Sequence, residues 1–504
     1  MAKDQAPGTH HPDKIEFAGD YNLSNIILIS HAGKAVDIKG LVIELNIYES
    51  IYKNAMTGSV VMVDTQNVIS KLPICGQERL VFKLSTPGAH EDAHIVDATE
   101  KTGNPFHVYK LTNRKQLGEG KLAYTLHFAS REFLRGIRTR VSKAYDDRID
   151  KIVTQIFADK TGLDSRKKLT VEQTRNSDKV VIPNMRPLNA ISMLAKKALP
   201  KTSKKGAGYF FYETTKGYHF RSWESMCVEQ GSHTRSAKQI FRYMPMNITD
   251  ETLDQDKITH DYTSVESYKF VNNFHDVAAN TALGTYAHKV TTYNIFDKSF
   301  LTTDYNYHLE YGETKHTDFQ GNQFDDYNRS KFAVTESPVD YDNLTVSDYA
   351  DAKTSLIPTT RFLHGEDTGN YGIDVKEDGP LHGAANAQRN MIVAGTTLSL
   401  VVKGQSFLQS GDKIIFQLRS IDEKNKDGLD DPQFAGSYII TKIRHKVTMD
   451  DYIMALECVK DSVMSPYGNA ETTYSGIANK EGPTIVDLTE EDIADGGARR
   501  NKQR

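Results

Sequence analysis

The sequence has little cysteine, no long apolar run and little net charge. Its three cysteines, Cys75, Cys227 and Cys458, lie far apart in 504 residues and form no CxxC pair. A disulfide framework or a zinc site is therefore not expected, and a reducing site of synthesis is favoured. Each cysteine is expected to pack as a small buried apolar side chain. The net charge of −4 predicts no strong attraction to nucleic acid or to an anionic membrane.

The apolar runs are too short for a membrane span. Residues 398–402 are typical of the longest, whereas a spanning helix needs roughly 18 consecutive apolar residues. Residues 1–20 are polar and lack the apolar core of a signal peptide. We expect a chain that is neither secreted through a cleaved signal nor anchored in lipid.

Motifs that carry catalysis or metal binding are also missing. The sequence contains no GxSxG, no HExxH and no Cys/His set with metal spacing. Lys115 stands where a phosphate loop ending in Gly120 and Lys121 needs its first glycine. Phe434 stands where a calcium loop starting at Glu423 needs a bidentate glutamate. We therefore predict no catalytic, cofactor-binding or metal-binding residue, no cofactor and no enzymatic activity.

Two landmarks of the sequence occur twice, in the same order. The residues that lead into Gly58 resemble those that lead into Gly284, 226 positions later, and the run that begins at Gly76 resembles the run that begins at Gly411. Aligned on their phenylalanines, the runs of the second pair are offset by 334. The second copy therefore has 108 more residues between its two landmarks than the first copy, which is the difference between the offsets of 334 and 226. This predicts a duplicated β domain whose second copy carries a large insertion.

Periodicity indicates the type of each domain. Residues 41–47 alternate as a half-buried strand does, and several short strands with turns between them favour a barrel or a sandwich. Residues 145–162 carry an apolar stripe at helical spacing, and a second helix is predicted to begin at Pro187. Residues 209–220 predict a hairpin that turns near Gly217. The two helices and the hairpin indicate an α+β middle domain.

The sequence divides into segments of different composition. We predict a flexible N-terminus (1–20), a first β domain (21–130), the α+β middle domain (131–262), a second β domain (263–300 and 395–465), an insertion that ends in a helix near 384–394 (301–394), and a C-terminal tail (466–504). Residues 302–382 of the insertion hold 16 acidic side chains, 6 basic ones and seven tyrosines. A surface arm or a small β appendage is expected there. The tail is expected to be mobile unless a partner orders it.

The order of these signals resembles the baseplate central hub protein of contractile-tailed bacteriophages. The resemblance is carried by residues 51–84, 182–223 and 387–416, and it extends over roughly residues 20–465. It implies a mainly β fold with an α+β middle domain and two homologous tail-tube-like β-barrel domains, the second split by the insertion. Matching barrel positions would be marked by Gly58, Gly76, Gly284 and Gly411.

The resemblance also implies a function and partners. Three chains would form a pseudo-sixfold homotrimeric ring between the sixfold tail tube, or its initiator protein, and the threefold puncturing spike. The channel would pass the tape-measure protein and then, transiently, DNA, so a mild or acidic lining is expected. The tail, with Pro466, Asp487 and Arg499, would contact the spike or a neighbouring chain, and the insertion would face baseplate wedge proteins. No membrane partner is expected, and the chain would be assembled in the host cytoplasm into the virion tail baseplate.

Two other functions stay open on sequence alone. A tail-associated peptidoglycan hydrolase needs two carboxylates that meet in space, which a sequence does not reveal. A carbohydrate-binding tail protein would use the tyrosines of the insertion. A zymogram tests the first function, and glycan binding that is lost when residues 302–382 are deleted tests the second.

Overall fold

The structure is a computed structural model of the chain. It describes residues 18–72, 74–87, 95–100, 104–175, 177–202, 208–228, 236–243, 257–272, 277–294, 298, 300–310, 314–318, 353–359, 395–419, 430–431 and 434–462. The chain divides into two compact units after Met464, and all of the described residues belong to the first unit. Residues 1–17, the helix expected near 384–394, and the tail with Pro466, Asp487 and Arg499 lie outside the described residues.

The fold is mainly β, as the sequence predicts. The strands are β1 (Asn22–Leu23), β2 (Ile27–Ile29), β3 (Ala35–Asp37), β4 (Val42–Ser50), β5 (Thr57–Asp64), β6 (Arg79–Val81), β7 (Lys83–Ser85), β8 (Val96–Asp97), β9 (Phe106–Gly118), β10 (Lys121–Ala129), β11 (Val141–Arg148), β12 (Leu169–Val171), β13 (Ser177–Met185), β14 (Tyr209–Thr214), β15 (Gly217–Ser222), β16 (Gln239–Arg242), β17 (Val265–Asn272), β18 (Ala287–Asn294), β19 (Phe300–Asn306), β20 (Thr354–Thr359), β21 (Thr396–Lys403), β22 (Lys413–Gln417), β23 (Gly436–Thr448) and β24 (Tyr452–Lys460).

Short helices connect these strands. They are α1 (Val68–Lys71), α2 (Arg131–Arg138), α3 (Ile149–Ala158), α4 (Pro187–Lys197), α5 (Trp223–Cys227), α6 (Lys257–Thr263), α7 (Val277–Ala282) and α8 (Tyr307–Glu310), with a 3₁₀ turn at Lys39–Leu41. Helix α4 begins at Pro187, as predicted, because the fixed φ of proline suits the first turn of a helix.

The largest sheet has two similar halves. Its strand order is β17-β21-β24-β23-β4-β5-β10-β9-β6-β2-β3, and β22 with β16 extends it from the side of β23. Each half contains a long antiparallel hairpin, β9–β10 or β23–β24. In each half a short strand, β6 or β22, pairs with the beginning of the first hairpin strand. The halves meet because the second part of β23 pairs with β4.

One hydrophobic core serves both halves of this sheet. Val60 and Phe128 enter it from the first half, and Leu400 and Phe416 enter it from the second half. These side chains alternate along their strands with residues that face the other side, as a strand with one buried face requires. The shared core makes the two halves continuous in packing as well as in hydrogen bonding.

Residues 131–228 form a second layer with its own core. Helices α3 and α4 pack with the sheets β11–β13 and β12–β15–β14 around a cluster that includes Ile152 and Leu194. The predicted hairpin β14–β15 turns at Gly217, whose φ is +129°. Trp223 and Tyr212 then pack against Ile51 and Ile439, which joins this layer to the large sheet.

Two predicted boundaries are wrong. Residue 145 belongs to strand β11, and helix α3 begins only at Ile149, because β11 pairs with β13 over its length. Strand β18, which was predicted to belong to the second β domain, pairs instead with β19 and β20 in a separate sheet. The insertion into the large sheet therefore begins after β17, well before residue 301. Periodicity identifies a strand, but it does not identify the strand's partner.

The cysteines only partly follow the prediction. Cys227 and Cys458 are buried, and burial raises the pKa of both thiols above the usual value. Cys75 is exposed, which corrects the expectation that it packs as an apolar side chain. It lies in the turn before β6, where its backbone amide donates to Glu78.

Candidate functional site

The junction between the two halves of the large sheet brings charged side chains together. Strand β23 pairs with β22 through its first four residues and with β4 through its last seven. In this register Lys446 lies opposite Asn46, and Arg444 lies opposite Tyr48. These side chains point away from the core, because their neighbour Leu45 points into it. We call the side of the sheet formed here the polar face; its exposed or half-buried members surround the buried Asn46, and they are Glu44, Tyr48, Lys442, Arg444, Lys446 and Glu457.

The basic side chains that β23 adds to the polar face all have carboxylate partners. Arg444 Nη2 lies 3.1 Å from Glu44 Oε1, and Lys446 Nζ lies 3.4 Å from Glu44 Oε2. Lys442 Nζ lies 2.7 Å from Glu457 Oε1. Two carboxylates therefore compensate most of the charge of three cations on this face.

Glu44 is the central acceptor of the polar face. Its Oε1 also accepts a hydrogen bond from Asn46 Nδ2 at 2.7 Å. Partial burial acts to raise the pKa of Glu44, but the hydrogen bond from Asn46 and the charges of Lys446 and Arg444 outweigh it and hold the pKa below its usual value. Glu44 is therefore charged at neutral pH, as charge compensation requires.

A buried carboxylate on the opposite face fixes the geometry of the junction. Glu49 of β4 accepts from the backbone amide of Thr215 at 2.8 Å and from that of Ser410 at 2.9 Å. His445 Nε2 lies 3.8 Å from Glu49 Oε1. Burial acts to raise the pKa of Glu49, but His445 and the two amides lower it overall. Glu49 thus ties the β14–β15 turn and the turn before β22 to the first half of the sheet.

Gly58 and Gly284 do not occupy equivalent positions, so this part of the sequence prediction is wrong. Gly58 lies inside β5 opposite Phe128, and a Cβ at Gly58 would come within 2.2 Å of the Phe128 ring. Gly284 lies in the turn between α7 and β18, with a φ of +68°. The pairing of β4 with β5 and the pairing of β17 with β21 each have a bulge near the start of the first strand. When the two pairs are superposed on this bulge, the residue that corresponds to Gly58 is Leu398. A side chain at Gly58 would collide with Phe128, whereas Gly284 has a backbone conformation that favours glycine.

Gly76 and Gly411 both precede the short strand that flanks the hairpin. Their φ angles are +82° and +87°, in the left-handed region that favours glycine. Leu80 of β6 pairs with Phe106, and Ile414 of β22 pairs at the corresponding position of the other hairpin. The strand pairings therefore align residue 80 with residue 414, which is the offset of 334 that the sequence match has.

The charged residues of the junction were not identified from the sequence. Glu49 follows Leu45 and Ile47 at a spacing of two, so the alternation alone places a carboxylate on the buried face of β4. No comparable signal exists for the ion pair between Arg444 and Glu44, which are 400 residues apart in the chain.

The part of the chain that the structure describes has neither a cluster of metal-binding side chains nor a membrane-spanning helix. Within these ranges no group of three or more His, Cys, Asp or Glu side chains is placed to hold a metal ion. None of the helices described here is both long enough and apolar enough to cross a membrane.

The chain is similar to several solved structures at low sequence identity. A 43 kDa tail protein of prophage MuSo2 from Shewanella oneidensis matches with a TM-score of 0.47 and 11% identity, over 87% of this chain and 99% of that one. A tail protein from Neisseria meningitidis MC58 matches with a TM-score of 0.47 and 10% identity, over 88% and 97% of the two chains. An Escherichia coli component of the type VI secretion system, described as similar to bacteriophage T4 tail proteins, matches with a TM-score of 0.40 and 9% identity, over 85% and 76%. No family profile and no curated protein matches the chain.

Proposed function

We propose that this chain is the structural hub subunit of a phage tail baseplate. Three copies would form a pseudo-sixfold homotrimeric ring between the sixfold tail tube, or its initiator protein, and the threefold spike. The observation that carries the proposal is the repeated strand order, β4-β5-β10-β9-β6 in one half and β17-β21-β24-β23-β22 in the other. A ring face with sixfold character can be matched only by repeated equivalent surfaces. A chain with two such halves supplies six of them from three copies.

The polar face is suited to line the channel of such a ring. DNA slides past a surface that has few uncompensated cations, because each phosphate held by a cation adds affinity. Lys442, Arg444 and Lys446 lie beside Glu457 and Glu44 and are therefore largely compensated. The tape-measure protein would occupy this channel first, and DNA would follow during genome ejection.

Other partners would contact the outside of the ring. The spike or a neighbouring chain would be reached by the tail with Pro466, Asp487 and Arg499, and wedge proteins would be reached by the acidic insertion. The chain would act by assembly and not by catalysis, as a component of the virion tail baseplate.

Mass and symmetry in solution test this proposal together. Light scattering after size-exclusion chromatography should give three times the monomer mass of 56.6 kDa, alone or with a trimeric spike protein added. Two-dimensional class averages from electron microscopy should show a threefold ring with six lobes. A monomer that forms no threefold particle with or without the spike protein would contradict the proposal.

A further inference from the structure

A lysine of the middle layer lies buried between two carboxylates. Lys167 Nζ is 2.5 Å from Glu213 Oε1 and 2.9 Å from Glu132 Oε2. The Lys167 side chain is 9% exposed, and the two carboxylate side chains are 3% exposed or less. Glu132 belongs to α2 and Glu213 to β14, while Lys167 lies just before β12. The cluster therefore joins three separate segments of the middle layer.

Aromatic rings surround this cluster. Lys167 Nζ lies 5.9 Å from the centre of the Tyr218 ring, and the rings of Phe157 and Phe211 pack against Tyr218 at 5.1 Å and 5.2 Å. In such surroundings an ion pair carries a large desolvation cost, which a neutral amide with satisfied hydrogen bonds does not. Condensation of an amine with a carboxyl group, which bulk water opposes, is therefore favoured at this place.

The carboxyl group of Glu213 is held as an acceptor for a nucleophile. Its Oε2 accepts from the backbone amide of Met56 at 2.8 Å and from the Tyr218 hydroxyl at 3.0 Å. These two donors are placed to stabilise the negative charge that Oε2 gains when a nucleophile adds to the carboxyl carbon. Burial raises the pKa of Glu213 above its ordinary value; the charge of Lys167 opposes this rise, and the charge of Glu132 adds to it. Glu213 therefore carries the proton of the two carboxyl groups.

Glu132 is placed to carry protons between the amine and Glu213. Its Oε2 faces Lys167, and its Oε1 accepts from the Ser165 hydroxyl at 2.6 Å. Burial acts to raise the pKa of Glu132, but the charge of Lys167 and the bond from Ser165 outweigh it and lower the pKa. Glu132 is therefore ionised, and a base within hydrogen-bonding distance of an amine activates it as a nucleophile.

We propose that the side chains of Lys167 and Glu213 condense into an amide bond, a self-made covalent cross-link within the chain. An Nζ atom 2.5 Å from a carboxyl oxygen is about 3–3.5 Å from the carboxyl carbon, the separation from which bonds form. The bond joins positions that are 46 residues apart, and it leaves Glu213 Oε2 as the acceptor for Met56. It does not depend on the ring of copies proposed above.

The condensation balances without any other reactant. Glu132 takes a proton from the Lys167 ammonium group, and the free amine attacks the carboxyl carbon of Glu213, so that a C–N bond forms. Glu132 then gives this proton to Oε1 of Glu213, and the C–Oε1 bond breaks with release of one water molecule. A second proton passes from the new nitrogen to Glu132. Nothing is oxidised or reduced.

A second lysine with two carboxylates serves as an internal control. Lys403 Nζ lies 2.9 Å from Glu266 Oε1 and 2.7 Å from Asp451 Oδ2. These three side chains are 26–38% exposed, so water solvates their charges and an ion pair is the stable form. We expect no amide bond at Lys403, which separates the effect of burial from that of composition.

The mass of the intact protein tests for the bond. The unchanged protein, folded, then denatured and reduced, should be lighter than its sequence by one water molecule. Lys167→Arg keeps a cation at this place, but a guanidinium stays protonated and does not attack, so this variant should have its full mass. Glu132→Gln keeps the size of the side chain but takes no proton, and it should also have its full mass. Lys403→Arg should still be one water molecule lighter.

Digestion with trypsin locates the bond. Trypsin releases residues 206–216, which contain Glu213, and it cuts after Arg166 and Lys168. It does not cut after a lysine whose amine is part of an amide. The peptide 206–216 should therefore carry the dipeptide Lys167–Lys168 as a branch, less one water molecule. In the Lys167→Arg variant the same peptide should be linear, and in all of these proteins trypsin should cut freely after Lys403.

The unchanged protein alone decides whether the bond forms, so the result does not depend on the folding of any variant. A full mass with a linear 206–216 peptide would show an ion pair only and would overturn the proposal. Loss of one water molecule with a linear 206–216 peptide places the loss elsewhere and overturns it as well. A branched peptide supports it. A branched peptide in Glu132→Gln, with the circular dichroism of the unchanged protein, would overturn the role of Glu132 and leave the bond standing.

Discussion

At the scale of single residues, the two halves of the large sheet fill one core position by opposite means. Gly58 pairs across the sheet with Phe128 in the first half. Leu398 pairs with Cys458 at the corresponding position of the second half. A glycine with a large ring and a leucine with a small thiol occupy the space in complementary ways, which is what a close-packed core requires. Each pair therefore fills the same space in its half of the sheet, although neither residue of the pair is the same in the two halves.

Gly58→Ala tests this account. The added Cβ would lie 2.2 Å from the Phe128 ring and 2.4 Å from the backbone oxygen of Asn46. The ring can turn, but the backbone oxygen of a paired strand cannot, so we expect a loss of about 1–3 kcal/mol in the free energy of unfolding, as overpacked cores show. Urea denaturation measures this loss. Gly40→Ala is the control, because a Cβ there meets nothing within 4 Å, and its effect should stay within about 0.5 kcal/mol. Equal stability of the two variants would contradict the close approach at Gly58.

At the scale of elements, the parts of the fold that could be predicted from sequence are those whose cause is local. Pro187 begins α4, and Gly217 turns the β14–β15 hairpin, because both residues act through their own backbone angles. The short strand after Gly411 could be placed for the same reason. The partners of a strand depend on residues hundreds of positions away, so β18 was assigned to the wrong sheet.

The candidate site cannot be predicted from the sequence either, because it also depends on which strands pair. Glu44 and Arg444 each look like an ordinary exposed charge on an alternating strand. Only the pairing of β4 with β23 puts their side chains 3.1 Å apart. Glu49 is the one residue with a usable signal, since continuing the alternation of residues 41–47 by two positions would place its carboxylate on the buried face.

One short element of the insertion is anchored in the body of the fold. Residues 314–318 are held mainly by Asp461, just after β24. Asp461 Oδ1 accepts from the amide and the hydroxyl of Thr317 at 2.9 Å and 3.0 Å, and Oδ2 lies 3.1 Å from both His316 Nδ1 and Trp223 Nε1. Burial acts to raise the pKa of Asp461, but the charge of His316 and these hydrogen bonds outweigh it and lower the pKa to about 2.

Asp461→Asn should weaken this anchor in a pH-dependent way. The pKa of Asp461 is lower in the folded chain than its ordinary value of 3.8, so the ionised group stabilises the fold above that value and this stability is lost as the pH falls toward 2. The shift corresponds to about 2 kcal/mol at pH 7 and about 1 kcal/mol at pH 3. Urea denaturation should therefore show a larger loss at pH 7 than at pH 3.

Two further measurements control this prediction. Asp304→Asn, on the exposed side of β19, should change the free energy of unfolding by less than about 0.5 kcal/mol at both pH values. Limited proteolysis should cut the Asp461→Asn variant faster within the insertion, because residues 314–318 lose their acceptor. Equal losses at pH 7 and pH 3 would show that the ionised form of Asp461 does not hold the segment.

At the scale of the whole molecule, buried charged side chains hold the middle layer and the two halves of the large sheet in position. Glu49 binds the middle layer and the second half of the sheet to β4. Glu213 of the middle layer accepts from the backbone amide of Met56 at 2.8 Å and pairs with the buried Lys167. A buried ion pair is a costly way to gain stability, but it is a specific way to fix orientation. Glu49 and Glu213 therefore hold the middle layer in a defined position against the large sheet.

The compensation of charge on the polar face leads to a prediction for the assembled protein. Glu44→Gln together with Glu457→Gln removes both carboxylates beside Lys442, Arg444 and Lys446. Three cations per chain would then be free to hold phosphates, so double-stranded DNA should bind more tightly, with an affinity that falls steeply with salt. Fluorescence anisotropy of a labelled duplex across a salt series measures this change.

The control for this prediction must change the net charge equally at another place. Asp37→Asn together with Asp304→Asn removes two exposed carboxylates of β3 and β19, and leaves the polar face intact. If net charge alone governed DNA binding, the two double variants would bind equally. If the polar face lines the path of DNA, only the Glu44 and Glu457 variant gains affinity and a steeper dependence on salt, because only there do the new free cations lie side by side along one surface.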